Sequence, residues 1–200
     1  GGGRTRVYLL RHGATEATAE GRYSGRLDTP LSPAGRQALH RAAFSPQYVY
    51  VSPLRRAVET AALWFPEAKQ IPVPELREMD FGIFEGRTWR ELSDNAAYRA
   101  WMDSGCQAPI PGGESKAVFC ARVCNAVAAL LDWEAARQTD TVVVAHGGTL
   151  MAALECFGLP RRPYFDWRVK LGGGFVLDGS TWAENRTLKV LKEVNITNGD

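Results

Sequence analysis

The sequence predicts an α/β fold, a three-layer sandwich in which helices cover both faces of a mostly parallel central sheet. Three short stretches of β-branched, aromatic and aliphatic residues are typical of strands buried on both faces. Helical patterns follow each stretch, and this alternation favours parallel strands joined by crossover helices. The three stretches are Val7-Tyr8-Leu9-Leu10, Val49-Tyr50-Val51 and Thr141-Val142-Val143-Val144-Ala145.

The helices are predicted from capping residues and apolar spacing. Ser followed by Pro marks a helix start, because the Ser hydroxyl caps free N–H groups and Pro suits the first turn. Apolar residues three or four apart predict a long amphipathic helix with Phe119, Val123, Val127 and Leu130 on its buried face. The predicted elements are a helix from Ser32-Pro33 to about Phe44, a helix that begins after Ser52-Pro53 and ends at Pro66, a short strand near 70–73, the long helix from Ser115 to about Arg137, a helix opened by Gly147 and Gly148 and ended by Gly158 and Pro160, and edge strands and turns at 167–171, 174–177 and 188–194.

Residues 74–114 interrupt this alternation of strands and helices. Carboxylates are mixed there with aromatic residues, and glycines punctuate the stretch. We expect a small helical cap over the strand ends within a single domain of residues 4–200, because neither boundary resembles a flexible linker. Gly1-Gly2-Gly3 resembles a cloning scar and is left out of the fold prediction. The aromatic residues of the cap are Phe81, Phe84, Trp89, Tyr98 and Trp101.

Composition argues against several classes of protein. The chain has 200 residues and a formal net charge of +2, and its Lys and Arg residues are scattered, so nucleic acid is not an expected partner. No signal peptide or membrane-spanning stretch is recognisable, so a membrane is not expected either. The four cysteines have no metal-binding or disulfide spacing, which indicates reduced thiols and a cytoplasmic location.

Cationic and imidazole side chains follow directly after the predicted strands. Arg11-His12 ends the first strand, Arg55-Arg56 follows the second, and His146 ends the third. The carboxyl ends of parallel strands meet at one edge of a sheet, where α/β proteins bind ligands. Arginine side chains and helix N-termini at that edge provide positive charge and N–H donors, which favour a phosphate group. We therefore predict a pocket for a small phosphomonoester.

The same residues indicate how such an ester could react. Clustered carboxylates do not occur at these strand ends, so neither a metal nor another cofactor is expected. The sequence also lacks a Walker-type loop with its Lys, which argues against an NTPase. The remaining nucleophile is His12, whose imidazole is kept neutral by neighbouring cations. The departing alkoxide needs a proton. The cap offers Glu75, Glu78, Asp80 and Glu85 as acids, and chemistry alone does not choose among them.

Several motifs together resemble the histidine phosphatase superfamily, also called phosphoglycerate mutase-like. They occur in the order typical of that superfamily, from Val7 to about Leu177. The resemblance implies the superfamily fold and phosphoryl transfer to a histidine. The motifs are Leu10-Arg11-His12-Gly13-Ala14-Thr15, Arg22-Tyr23-Ser24-Gly25, Asp28-Thr29-Pro30-Leu31-Ser32, Ser52-Pro53-Leu54-Arg55-Arg56-Ala57, Thr60-Ala61 and Ala145-His146-Gly147.

The resemblance also implies a role for each matching residue. His12 corresponds to the nucleophile that becomes phosphorylated, and Arg11, Arg56 and His146 correspond to the phosphate pocket. The segment Leu76-Arg77-Glu78-Met79-Asp80-Phe81-Gly82 resembles the one that contains the proton donor, which selects Glu78 and leaves Glu85 a supporting role. Further substrate contacts are expected at Thr18, Arg22, Ser24, Gly25 and Gly147.

Two positions depart from the superfamily pattern. Thr18 stands where many members have an Asn that touches the phosphate, and Ser24 stands where many have Gln.

The cap is similar to that of the α-ribazole phosphatase branch, which implies hydrolysis of α-ribazole 5′-phosphate in cobalamin biosynthesis. Superfamily members are often homodimers. Three alternatives remain: a broad-specificity phosphatase of small phosphomonoesters, a phosphoglycerate mutase, for which the chain is short, and a catalytically silent module that binds phosphorylated ligands. The cap resemblance rests on Tyr23-Ser24-Gly25, residues 75–82, Tyr98 with Trp101, residues 111–115 and residues 167–170.

Overall fold

A computed structural model describes residues 4–196, and Gly1-Gly2-Gly3 lies outside the described residues. Seven strands form one mixed sheet in the order β3-β2-β4-β1-β6-β7-β5. The neighbouring pairs from β3 to β1 are parallel, whereas β6 is antiparallel to both β1 and β7. The strands are β1 (Arg6–Arg11), β2 (Tyr48–Val51), β3 (Lys69–Pro72), β4 (Thr141–Ala145), β5 (Gly158–Leu159), β6 (Gly173–Asp178) and β7 (Leu188–Asn195).

Helices cover the sheet on both faces. Alternate residues of the central strands enter two separate cores. Leu9 and Val143 pack with the buried face of one long helix, α6, whereas Leu10 and Val144 pack with residues of α3. The helices are α1 (Glu16–Ala19), α2 (Pro33–Ala38), α3 (Arg55–Trp64), α4 (Trp89–Leu92), α5 (Ala96–Asp103), α6 (Lys116–Arg137), α7 (Gly147–Phe157) and α8 (Trp182–Asn185), and short 3₁₀ helices occur at Pro74–Leu76, Gly82–Phe84 and Tyr164–Trp167.

The predicted long helix is confirmed as α6. The Ser115 side chain caps α6 by accepting the Val118 N–H, and the helix ends at Arg137. Its buried stripe follows a spacing of four residues, through Phe119, Val123, Val127 and Leu131, so Leu131 replaces the predicted Leu130 on the buried face. None of the helices within residues 4–196 is long and apolar enough to cross a membrane.

The predicted helix from Ser32 to Phe44 is too long. Ser32 caps α2 as expected, but the helix ends at Ala38 and Leu39 is extended. The extended chain brings Leu39 into the core and stacks Phe44 on Tyr8, with ring centroids 4.4 Å apart. Burial of these side chains against the sheet outweighs the additional helical turns that local sequence favours.

The C-terminal strands lie at nearly the predicted residues, Gly173–Asp178 and Leu188–Asn195, but not at the edge of the sheet. We expected edge strands, but β6 lies inside the sheet between β1 and β7. Gly174 permits this position, since a Cβ there would lie 2.1 Å from the Leu9 carbonyl oxygen. A strand or turn was predicted at 167–171, but Trp167 is instead the last residue of the 3₁₀ helix Tyr164–Trp167.

Candidate active site

The first and third histidines lie side by side at the carboxyl edge of the sheet. β1 and β4 are parallel neighbours with Arg11 opposite Ala145, and this register brings the next residues, His12 and His146, together. The His12 N–H donates to the Ala145 carbonyl at 3.1 Å. The two imidazole rings are 5.1 Å apart, and both are buried. Local strand pairing therefore assembles the centre of the site.

Two arginines flank this pair. Arg56 lies in the first turn of α3, is fully buried, and donates to the carbonyls of Leu27 and Gly25 at 2.6 and 2.7 Å. Arg11 donates to the Val169 carbonyl at 2.8 Å. Neutral carbonyls position both guanidinium groups and leave their positive charge uncompensated by a direct ion pair within the described residues.

Several buried polar atoms of the site have no hydrogen-bond partner. They are Arg11 Nε, Arg56 Nε, His146 Nδ1 and Ser24 Oγ. A buried polar group without a partner costs about 1–3 kcal/mol, and more when it is charged. An anion with several acceptor oxygens satisfies such a set at once, so the site fits a phosphoryl group.

The His12 ring is held in one tautomer. Its Nδ1 lies 2.7 Å from the Gly13 carbonyl oxygen, which can only accept, so Nδ1 carries the proton and the lone pair lies on Nε2. Burial, the guanidinium of Arg56 and then that of Arg11 lower the pKa of His12 to about 3. The Gly13 carbonyl opposes this shift. His12 is therefore a neutral base or nucleophile near neutral pH.

Glu78 is the cap carboxylate that reaches this site. One of its oxygens accepts the Met79 N–H at 2.8 Å, and the other accepts the Gly148 N–H at 3.0 Å in the first turn of α7. Burial raises the pKa of Glu78, although these N–H groups, Arg56 and Arg11 oppose the rise. Gly148 is required for this approach, since a Cβ there would lie 2.1 Å from Glu78 Oε1.

Ser52 belongs to the site, although its sequence context indicated a helix cap. The N-cap of α3 is Leu54, which has no side-chain cap bond. The Ser52 hydroxyl instead lies 2.7 Å from His146 Nε2. Burial, then the electrostatic effects of His12 and Arg56, hold the pKa of His146 well below its ordinary value. Arg55 and Arg56 do occupy the first helical turn, as predicted.

Four of the residues expected to contact substrate have protein partners. Arg22 binds Glu20, Glu91 at 2.8 Å and the Gly86 carbonyl, so its guanidinium links the loop to the cap. The Gly25 N–H donates to Glu85 Oε2 at 3.1 Å, and its carbonyl accepts from Arg56. Gly147 packs against Arg11, since a Cβ there would lie 3.1 Å from Arg11 Nε. The Thr18 hydroxyl donates to the Thr15 carbonyl and accepts the Thr15 N–H, both at 2.9 Å.

Thr18→Ala separates a structural role from a substrate contact. Thr15 and Thr18 form a capping box at the start of α1, so the alanine variant is expected to lose about 1 kcal/mol of stability. If the hydroxyl stays with Thr15, kcat/KM changes less than about threefold, or under 0.7 kcal/mol. Thermal unfolding and steady-state kinetics measure the two quantities. A drop of tenfold or more in kcat/KM would show that Thr18 contacts the phosphate.

A chamber adjoins the catalytic edge. It has a volume of about 470 Å³ and is lined mainly by aromatic and thioether side chains, with Glu78 and Gly148 at one side. A second cavity of about 270 Å³ is also lined by Glu78, Gly148, Met151 and Arg168, and it includes Arg11. The aromatic residues of the chamber are Tyr23, Phe81, Trp101, Tyr164 and Phe165.

The predicted cap aromatics therefore divide into three groups. Phe81 and Trp101 line the chamber, Phe84 and Tyr98 are buried core residues, and Trp89 is 59 % exposed. Tyr164 and Phe165 come from the 3₁₀ helix after β5, outside the predicted cap. The local sequence did not indicate that these two residues line the chamber, because only the tertiary fold brings their loop beside the cap.

The geometry defines a class of site. Two buried imidazoles, the buried Arg56, the partly buried Arg11 and one buried carboxylic acid surround a space suited to phosphoryl transfer. Within residues 4–196, no group of three or more His, Cys, Asp or Glu side chains is arranged to hold a metal ion.

Comparison with known proteins identifies the family. Residues 7–182 match the histidine phosphatase superfamily (branch 1), and the chain belongs to this superfamily. The predicted α/β fold is thereby confirmed, and the protein is a phosphatase. The adenosylcobalamin/alpha-ribazole phosphatase of Escherichia coli is 34 % identical over 86 % of this chain and 89 % of its own length.

Two further similarities bear on substrate choice. The glucosyl-3-phosphoglycerate phosphatase of Mycolicibacterium vanbaalenii is 38 % identical, over 90 % of this chain and 83 % of the relative. The solved structure of the alpha-ribazole phosphatase from Shigella flexneri superposes with a TM-score of 0.79 and 29 % identity, covering 96 % of this chain and 97 % of that one. Relatives of similar likeness thus act on different phosphate esters.

Proposed function

We propose that this phosphatase hydrolyses phosphomonoesters through a phosphohistidine on His12, and that α-ribazole 5′-phosphate is its substrate. The observation that carries the chemistry is the state of His12. The ring is neutral, its Nδ1–H is fixed by the Gly13 carbonyl, and Nε2 has a free lone pair beside two arginines. A neutral imidazole is the nucleophile that attack on phosphorus requires.

The first step transfers the phosphoryl group. His12 Nε2 forms a bond to phosphorus while the bond to the ester oxygen breaks, and protonated Glu78 donates its proton to the departing alkoxide. Arg11 and Arg56 stabilise the charge on the phosphoryl oxygens. The Ser52 hydroxyl donates to His146 Nε2, so the proton of the neutral ring lies on Nδ1, and this N–H donates to one of the phosphoryl oxygens. Ser52 therefore has a positioning role.

The second step releases phosphate. Water attacks the phosphohistidine, ionised Glu78 accepts a proton from that water, and the bond between His12 Nε2 and phosphorus breaks. Glu78 thereby returns to its protonated state, and His12 returns to its neutral state. The raised pKa of Glu78 supports its role as the acid, because burial favours the protonated form that the first step needs, and the proton given up there is regained in the second step.

The chamber supports a large leaving group that carries an aromatic base. Its volume of about 470 Å³ falls within the ordinary size of ligand pockets, and its walls are mainly apolar. We propose that residues 74–114 act as a cap whose Phe81 and Trp101 face the benzimidazole base of α-ribazole. Trp101 also has a buried Nε1–H without a partner, which a ligand acceptor could satisfy.

A second candidate substrate has a specific observation in its favour. Lys116 and Arg168 line the chamber, and Arg168 has no ion pair in the described part of the chain, whereas Lys116 lies 3.6 Å from Glu155. A free cation favours a leaving group with a carboxylate, such as the glucosyl-3-phosphoglycerate on which the mycobacterial relative acts. The alternative is thus a phosphatase of carboxylated sugar phosphates.

A substrate panel distinguishes these proposals. We would measure kcat/KM, with chelator present, for α-ribazole 5′-phosphate, glucosyl-3-phosphoglycerate, 3-phosphoglycerate, a nucleoside monophosphate and p-nitrophenyl phosphate. The α-ribazole ester is expected to exceed the others by about 10²-fold or more, or about 2.7 kcal/mol. Equal rates would leave a broad-specificity phosphatase. A preference for glucosyl-3-phosphoglycerate would establish the alternative, and mutase products from 3-phosphoglycerate would refute the hydrolase assignment.

Matched aromatic variants locate the specificity. Phe165→Ala removes a chamber wall, and Trp89→Ala removes an exposed aromatic residue outside the chamber. Phe165→Ala is expected to raise KM for α-ribazole 5′-phosphate about tenfold, or 1.4 kcal/mol, and to leave p-nitrophenyl phosphate unchanged. Equal effects of the two variants would place the base outside this chamber.

A further inference from the structure

The segment that carries Glu78 has no regular secondary structure of its own. Residues 77–81 lie between the 3₁₀ helices Pro74–Leu76 and Gly82–Phe84, outside any strand or helix. Backbone carbonyls in such a segment need partners from elsewhere, because no ladder or helix supplies them. The position of Glu78 therefore depends on whatever binds those carbonyls.

One side chain from α6 binds two of these carbonyls, together with the carbonyl of Glu75 just before the segment. Arg122 Nη1 donates to the carbonyls of Glu75 and Arg77 at 2.6 and 3.0 Å, and Nη2 donates to the Glu78 carbonyl at 3.3 Å. Only 17 % of its side chain is exposed. A planar guanidinium with five N–H donors can span three carbonyls, whereas an ammonium group on a flexible chain cannot do so in one fixed orientation.

Glu114 fixes the orientation of this guanidinium. Arg122 Nε and Nη2 donate to its two carboxylate oxygens at 3.0 and 2.7 Å, a bidentate pair. Glu114 also accepts the Asp80 N–H at 2.9 Å, so it binds the same segment from the opposite side. Arg26 adds a bond from Nε to the Glu78 carbonyl at 3.3 Å.

We propose that Arg122 is a positioning residue for Glu78. The guanidinium holds the backbone oxygen of Glu78, while the N–H groups of Met79 and Gly148 hold its carboxylate, so both ends of the residue are fixed. Loss of Arg122 removes the bonds to the Arg77 and Glu78 carbonyls and leaves the Glu78 carbonyl only the bond from Arg26, so the backbone end loosens and the acid shifts from the departing oxygen. This inference rests on the proposed role of Glu78 as the general acid.

The test uses the dependence of kcat/KM on the leaving group. This parameter reports phosphoryl transfer to the enzyme and is independent of how fast the phosphoenzyme breaks down. α-Ribazole 5′-phosphate releases a poor, alkyl leaving group that needs a proton, whereas p-nitrophenyl phosphate releases a good one that does not. Arg122→Gln is expected to lower kcat/KM about 10–100-fold on the alkyl ester and less than about threefold on the aryl ester.

Three further variants make the result specific. Val127→Ala, in the buried stripe of α6, destabilises the same helix without removing a hydrogen bond to the Glu78 segment, and it is expected to lower Tm while leaving the ratio of the two rates unchanged. Arg122→Lys retains the charge and is expected to recover only part of the alkyl-ester rate. Glu114→Gln weakens the bidentate pair, retains Arg122, and is expected to change the ratio of the two rates in the same direction as Arg122→Gln. It supplies the test if Arg122→Gln does not fold.

The outcomes separate two failures. If Glu78→Gln shows no selective loss on the alkyl ester, the proposed acid is wrong. If Glu78→Gln shows that loss but Arg122→Gln or Glu114→Gln lowers both esters equally, as a merely destabilising change would, the positioning role is refuted. Full rescue by Arg122→Lys would also refute it, because charge alone would then suffice.

Discussion

His12→Ala is expected to lower kcat/KM by at least about 10³-fold, or about 4 kcal/mol, and to leave the fold intact. The variant removes the only group whose lone pair is proposed to attack phosphorus. It also removes a hydrogen bond from Nδ1–H to the Gly13 carbonyl, a local contact within one loop. Steady-state kinetics on α-ribazole 5′-phosphate, with circular dichroism of the same sample, would measure both quantities.

The chain contains a matched control for this variant. It has three histidines, and His40 is the exposed one, after the end of α2. His40→Ala is expected to retain wild-type kinetics. Retained activity in His12→Ala, or equal losses in the two variants, would contradict the role of His12.

Trapping the phosphoenzyme separates an enzyme from a silent binding module. Rapid quenching in alkali during turnover of a labelled substrate is expected to give an acid-labile, alkali-stable phosphate on the wild-type chain and none on His12→Ala. A module that only binds phosphorylated ligands would show tight substrate binding without label. The neutral state of His12 and the buried acid Glu78 have no evident use in such a module.

The strand-end residues could be predicted from sequence because the argument is topological. Apolar stretches that end in Arg11-His12 and in His146 meet at one sheet edge whatever the side-chain packing, and β1 and β4 do pair in that register. Arginines in the first turn of the next helix followed from the same reasoning, since α3 begins at Arg55, but the family resemblance selected Arg56 over Arg55. Parallel pairing therefore makes this part of the site readable from local pattern.

The choice among the cap carboxylates could not be made in this way. Glu75 is exposed, Asp80 accepts the N–H of Gly82 at 2.9 Å, and Glu85 accepts the N–H groups of Gly25 and Arg26. Only Glu78 is buried among the groups of the site. These differences arise from tertiary packing, so the family resemblance, and not residue chemistry, singled out Glu78.

Positioning residues were missed for a related reason. Arg122 is 44 positions from Glu78 and falls on a helix whose apolar stripe gives no hint of a partner across the cap. Ser52 precedes a proline, which made a cap the simplest interpretation, yet its hydroxyl contacts His146 instead. Long-range hydrogen bonds of this kind have no local periodicity, so pattern analysis cannot find them.

Glu78→Gln is expected to lower kcat/KM on α-ribazole 5′-phosphate by about 10²–10⁴-fold. The amide preserves shape, but its single oxygen can accept only one of the Met79 and Gly148 N–H groups, and it has no acidic proton to give. Burial raises the pKa of Glu78, so the wild-type acid is protonated at low pH and ionises as pH rises through that raised value. The advantage of wild type over variant is therefore largest at low pH and declines as pH rises.

The ratio of the two pH profiles isolates this ionisation. The phosphate ester itself titrates near pH 6, with its second pKa of about 6, but it does so equally in both assays and cancels in the ratio. Glu75→Gln, which changes an exposed cap carboxylate, is the control and should give a flat ratio near one. A flat ratio for Glu78→Gln would mean that Glu78 does not supply the proton. A ratio that changes with pH for Glu75→Gln would assign proton donation to Glu75. A ratio that declines only for Glu78→Gln ties proton donation to the buried cap carboxylate, whose pKa burial raises.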